Sequence, residues 1–121
     1  MEVLLDSNFI ISCVRKNIDF LVELENLGFK VAIPREVLQE LKDLRLKLKH
    51  DDRLAIDIAT QMLDDKKIKK LKIGGGKVDE KLIEIGNKGA YIATLDAYIK
   101  RSVPNKVVIS TAGNKLVIER S

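Results

Sequence analysis

Short apolar runs alternate with stretches of helical periodicity along the chain, and this alternation restricts the fold more than any other feature. Residues 2–5 (EVLL), 30–33 (KVAI), 68–73 (IKKLKI), 90–94 (AYIAT) and 106–110 (KVVIS) read as strands. Between them, apolar residues at 9, 10, 11, 13 and 14 fit a helix packed on a sheet. Asp19 is placed to cap a helix in which Phe20, Leu21, Leu24 and Leu27 recur until Gly28 ends it. Val37, Leu38, Leu41, Leu44 and Leu48 form one stripe over residues 34–48, with Pro34 in the first turn. A further helix restarts at Asp51 or Asp52 and runs through Leu54, Ile58, Met62 and Leu63. Residues 79–87, with Leu82, Ile83 and Gly86, and the segment AYIKRS give two more helices. KLVIE at 115–119 reads as a hairpin strand returning on KVVIS. The strands are brief and lack strict polar alternation, so both of their faces are buried. That combination predicts an α/β domain with a mostly parallel sheet covered on both sides.

The chain of 121 residues, 45% hydrophobic, suits one domain spanning 1–121 with a real core. Its net charge of +4 permits a polyanionic partner without requiring one. The single cysteine, Cys13 in NFIISCV, excludes a disulfide framework and a cysteine-based zinc site and reads as a buried thiol. No secretory signal pattern and no apolar stretch near the ~20 residues of a membrane span is present. A soluble, cytoplasmic protein is the expectation.

The chemistry lies in the acids. Parallel strands deliver their carboxyl ends to one edge, where open α/β sheets bind ligands. Asp6 follows the first strand and Asp96 the fourth, so both emerge there. Asp79 begins the helix after the third strand, and Glu40 lies two turns into the helix after the second, bordering its buried face. Each acid has an ordinary explanation. Asp6, Asp79 and Asp96 are placed to cap helices, and a helical glutamate is usually solvated. Four such explanations at one edge are less economical than a shared cation. Oxygen-only ligands select a hard divalent ion, Mg²⁺ or Mn²⁺, and such an ion polarises phosphoryl oxygens and activates water.

Other chemistries find little support. His50 is the only histidine and sits in the charged segment KLKHDDR, which leaves no imidazole pair for metal-free acid–base cleavage and no credible triad. GGGK lacks the spacing of a phosphate loop, and LLDSNFII has no glycine-rich turn for a nucleotide. Lys66, Lys67, Lys69, Lys70, Lys72 and Lys77 form the densest basic run, most of which reads as solvated surface. Lys77 stands two residues before Asp79, within reach of a nucleic-acid phosphate, and Lys100 with Arg101 makes a second candidate pair. With 4% aromatics, base stacking contributes little and backbone charge supplies most affinity.

Taken in order, LLDSNFII, PREVLQEL, KVDEKLIEIG and YIATLDAYIK resemble the four acidic blocks of PIN-domain ribonucleases, over nearly the whole chain. The resemblance implies a Rossmann-like domain with a central, mostly parallel five-stranded sheet and helices on both faces. It implies metal-dependent hydrolysis of single-stranded RNA to 5′-phosphate and 3′-hydroxyl ends. Asp6, Glu40, Asp79 and Asp96 match the catalytic and metal-site carboxylates, and Asn8 and Thr94 match the polar positions that orient carboxylate or water. Lys100-Arg101 after TLD looks most like the branch of ribosomal-RNA-processing factors; the toxin branch of toxin–antitoxin pairs stays open. A homodimer and a protein partner, antitoxin or RNA-processing complex, are both compatible with the resemblance; no membrane partner is expected, since no apolar stretch is long enough to span one. Ala97 and Tyr98 stand where many members carry a further acid. That departure leaves the number of metals open, with Glu80 as a substitute carboxylate, and leaves open a catalytically weak module that binds RNA or protein.

Overall fold

The computed structural model describes residues 1–121. Its elements run β1 (Glu2–Leu5), α1 (Ser7–Arg15), α2 (Phe20–Asn26), β2 (Lys30–Pro34), α3 (Arg35–Lys47), α4 (His50–Leu63), β3 (Lys69–Leu71), α5 (Val78–Asn87), β4 (Tyr91–Ala93), α6 (Ala97–Ser102), β5 (Asn105–Ser110) and β6 (Lys115–Arg120). They build one sheet in the order β3-β2-β1-β4-β5-β6. β1 to β5 are mutually parallel, as the buried apolar runs predict. The 115–119 hairpin strand adds a sixth, antiparallel to β5.

Successive residues of a strand point to opposite faces, and here both faces are apolar. Val3, Leu5, Ile33, Tyr91, Ala93 and Val107 face the larger core, where α1 to α4 contribute Phe9, Phe20, Leu24, Val37, Leu41 and Ile56. Leu4, Ala32 and Ile92 face a smaller core closed by Leu82 of α5 and by Ile99 and Val103 at α6. A Cβ on Gly86 would stand 2.6 Å from Val103 Cγ1 and 3.1 Å from Ile92 Cγ1, so the glycine lets α5 lie close to β4 and α6. Cys13 is fully buried, and burial pushes its thiol up to about 12. No helix is long and apolar enough to cross a membrane.

Two local expectations are corrected. Pro34 closes β2 and takes the capping position, and α3 begins one residue later. On α4 the buried row is Ala55, Ile56, Ala59 and Leu63, whereas Leu54 and Ile58 are each 49% exposed. Side-chain size misleads there because α4 packs against both α1 and α3. The small Ala55 and Ala59 allow that close packing and turn the larger neighbours outward.

Chain order brings the site into being. From β1 the chain moves outward through β2 to β3, then returns past β1 to β4 and continues to β5. The direction reverses between β1 and β4, and at such a switch point the loops leaving the two strands diverge and open a crevice. Asp6 and Asp96 flank that crevice.

Candidate active site

β1 and β4 pair through Leu5 and Ala93, and the next residue of β1's path, Asp6, donates its backbone N–H to the Ala93 carbonyl at 3.0 Å. The ladder thus extends one residue past β1 and fixes the Asp6 backbone. Thr94, with no exposed surface, joins the two strand ends. Its Oγ1 donates to Asp6 Oδ2 at 3.0 Å and accepts from the Asp96 backbone N–H at 3.0 Å. One hydroxyl therefore positions both aspartates.

Asp6 and Asp96 also occupy helix N-cap positions. Asp6 Oδ1 accepts from the Ser7 backbone N–H at 2.9 Å, and Asp96 Oδ1 accepts from the Ile99 backbone N–H at 3.0 Å. Capping is thus real at both sites, but it engages a single oxygen of each carboxylate. Asp79 caps nothing: the capping position of α5 belongs to Lys77, and Asp79 stands exposed in the first turn. Glu40 is half-buried on α3, and its Oε1 is buried without a hydrogen-bond partner. A buried, unpartnered carboxylate oxygen is unfavourable unless another group, such as a cation, satisfies it.

The electrostatics tie the four acids together. Asp6 is raised above the ordinary aspartate range, first by burial and further by the charges of Asp79 and Asp96; Thr94 and the Ser7 backbone oppose the shift. Glu40 is raised first by burial, then by Asp6 and Asp79, with the Ser7 hydroxyl opposing. The neighbouring charges therefore make ionisation of Asp6 and Glu40 harder, which is the arrangement a divalent cation relieves. No three of them close on a common point as a complete ligand shell. The donor set, hard oxygens with one orphaned buried atom, fits Mg²⁺ or Mn²⁺ rather than a softer ion.

The remaining candidates divide. Ser7, only 6% exposed and beside Glu40, lies at the site, and nothing in the sequence singles it out as a site residue. Asn8 lies exposed in the first turn of α1 and hydrogen-bonds none of the acids. Glu80 is likewise exposed beside Asp79. The basic run is split by β3. Lys66 and Lys67 precede the strand, Lys69 pairs with Glu2 at 3.7 Å, and only Lys72 and Lys77 follow it toward the acidic edge. Lys100 and Arg101 form the last turn of α6, and His50 is exposed at the start of α4. A cleft of about 520 Å³ bordered by Glu2, Phe29, Lys30 and Lys69 opens at the amino-terminal edge, away from the acids.

Comparison with solved structures places this architecture among PIN domains. The PIN domain endonuclease Utp24 matches with a TM-score of 0.77 and 21% identity, over 99% of this chain and 92% of that one. The VapBC2 complex from Rickettsia felis, bound to a DNA fragment from its promoter, matches with a TM-score of 0.60 and 20% identity, over 84% of this chain and 93% of that one. No curated protein matches the sequence. A family model described as a PIN-like domain matches residues 3–111, and the chain belongs to that family.

Proposed function

We propose that residues 1–121 act as a single metal-dependent endoribonuclease domain that hydrolyses single-stranded RNA. The observation that carries this reading is the pair of strand-end aspartates joined by the buried Thr94 hydroxyl, together with a buried Glu40 oxygen that has no partner. Asp6, Glu40, Asp79 and Asp96 would hold Mg²⁺ or Mn²⁺, and the ion would supply Lewis acidity toward a phosphoryl oxygen and an activated water. The protein's own contribution is preorganisation. Thr94 fixes the Asp6 carboxylate and the Asp96 backbone, and the Ile99 N–H holds the Asp96 carboxylate, before substrate arrives, so that little reorganisation is left to the reaction. Lys77, Lys100 and Arg101 supply positive charge to the RNA backbone, whose binding then weakens with salt.

A role in RNA processing is supported by the Lys100-Arg101 segment, through its resemblance to the branch of ribosomal-RNA-processing factors. The absence of an acid at Ala97 and Tyr98 favours a second reading, a weakly catalytic module that binds RNA or a protein partner.

Cleavage of a mixed pool of labelled single-stranded and structured RNA in Mn²⁺, Mg²⁺ or EDTA separates the two. The Asp96→Asn variant is the control, because asparagine still caps α6 while removing the charge. The nuclease reading expects metal-dependent cutting of unpaired RNA that vanishes in Asp96→Asn. RNA binding by folded wild type without cutting supports the binding module. Cutting that survives the substitution removes the site described above.

A further inference from the structure

Between β3 and α5 the chain passes through Lys72-Ile73-Gly74-Gly75-Gly76-Lys77. Three consecutive glycines would leave such a loop without a fixed course, since glycine gives up the most backbone freedom on ordering. Gly74 and Gly76 adopt positive φ values of 96° and 99°, a conformation costly for other residues. The loop is nevertheless held at one point. Glu36, in the first turn of α3, accepts from the Ile73 backbone N–H through Oε1 at 3.2 Å and from the Gly74 backbone N–H through Oε2 at 3.2 Å. These are the only side-chain hydrogen bonds made to residues 73–76.

The clamp sits beside the acids. Glu36 precedes Glu40 by four residues, one turn of the same helix. From the clamp the chain must travel from β3, at the sheet edge, past β2 and β1 to α5, which packs on β4. Val78 at the start of α5 touches both cores, and Asp79 follows it. Both lysines that flank the glycines at this edge are exposed. The Glu36 carboxyl is held below the ordinary glutamate range, first by its own backbone N–H and then by those of Ile73 and Gly74, with Lys72 adding its charge.

We propose that Glu36 is a positioning residue: by clamping two successive backbone amides it sets the glycine loop along the acidic edge, so that Lys72 and Lys77 form a rim that contacts the phosphates of a bound RNA strand. This inference rests on the nuclease reading and adds to it a residue that touches neither metal nor substrate. It separates two roles on one helix face. Glu40 is left unpartnered for a cation, whereas Glu36 is spent on the backbone.

The test compares wild type with Glu36→Ala, Glu36→Gln and Lys72→Ala/Lys77→Ala. Three readouts apply: amide hydrogen exchange at Ile73 and Gly74, anisotropy of a fluorescein-labelled single-stranded RNA in EDTA over a range of salt, and kcat and KM for cleavage in Mn²⁺. Glu36→Ala is expected to speed exchange at the two amides and leave global stability near wild type. It is expected to weaken RNA binding and raise KM on the order of threefold to tenfold, with kcat little changed. Glu36→Gln, which keeps an acceptor oxygen, should fall between. Adding Glu36→Ala to the double lysine variant should weaken binding no further, because the clamp acts through those lysines. Unchanged amide exchange overturns the inference, and so does faster exchange with unchanged affinity and KM. A wild type that neither binds nor cuts RNA overturns the nuclease reading itself, and the inference falls with it.

Discussion

The two halves of the acidic edge are built differently. Asp6 and Asp96, at the ends of adjacent strands, are held by backbone amides and by one buried hydroxyl. Glu40 and Asp79, on helices, are held by no backbone amide, and one Glu40 oxygen is buried bare. The difference follows from the elements. A strand end inherits its position from the sheet ladder, whereas a helical acid reaches the site along a side chain with free torsions. On the proposed reading, the strand pair would supply a preformed half-site, and the helical pair would complete it by responding to a cation. Binding energy is needed to order only the second half.

Breaking the preformed half should have the largest consequence. Asp6→Asn is expected to lower cleavage on the order of a thousandfold, since the buried carboxylate whose charge couples to the other three is neutralised. Steady-state kinetics in saturating Mn²⁺ read this directly, and a loss below tenfold would place the reaction elsewhere.

Thr94→Val comes next. It removes the hydroxyl that serves Asp6 Oδ2 and the Asp96 N–H, and leaves both buried or half-buried groups short of a partner. A stability loss of about 2 kcal/mol by urea unfolding is expected, with activity down about 10- to 100-fold. Thr94→Ser, which keeps the hydroxyl, should recover most of the activity.

Glu40→Gln probes the responsive half through pH. The Glu40 carboxyl is raised in the folded protein, so the native state holds its proton more tightly than the unfolded chain does. In the window between the ordinary glutamate value of 4.5 and the raised one, stability then falls as pH rises, and the cost is fully present above that window. Glu40→Gln should therefore be more stable than wild type at neutral pH without metal, by about 3 °C in Tm, and no more stable below the window. Saturating Mn²⁺ should reverse the order at neutral pH, because only wild type gains from the ion. A variant no more stable than wild type at pH 7 in EDTA would mean that Glu40 is already satisfied.

Asn8→Ala should matter least. Exposed and unbonded to the acids, Asn8 is expected to change cleavage by less than about threefold. A larger loss would show that it meets the substrate rather than the carboxylates.

The sequence carried the strand half of this picture more fully than the helical half. Buried parallel strands leave a plain apolar signature, and an acid immediately after one must stand at the carboxyl edge, so Asp6 and Asp96 could be placed without coordinates. Thr94 was legible only through its resemblance to a family position; its bond to both aspartates depends on β1 and β4 being neighbours, which strand order in sequence does not state. Helices hide more. Whether Asp79 caps or faces the site turns on a start one residue earlier, at Val78. On α4, a heavy row through Leu54 and Ile58 yields to the alanines because two flanking helices demand small residues, a tertiary constraint absent from periodicity. The clamp between Glu36 and residues 73 and 74 joins positions 37 and 38 apart, and nothing local announces it.

Mn²⁺ binding, followed by electron paramagnetic resonance of the free ion and by Tm in the same samples, tests the shared-cation claim most directly. Wild type should take up Mn²⁺ saturably and melt at higher temperature as it does so, while Asp6→Asn, equally folded, should lose both effects. Wild type that leaves Mn²⁺ free at millimolar concentration, or Asp6→Asn that binds as tightly as wild type, would contradict the account.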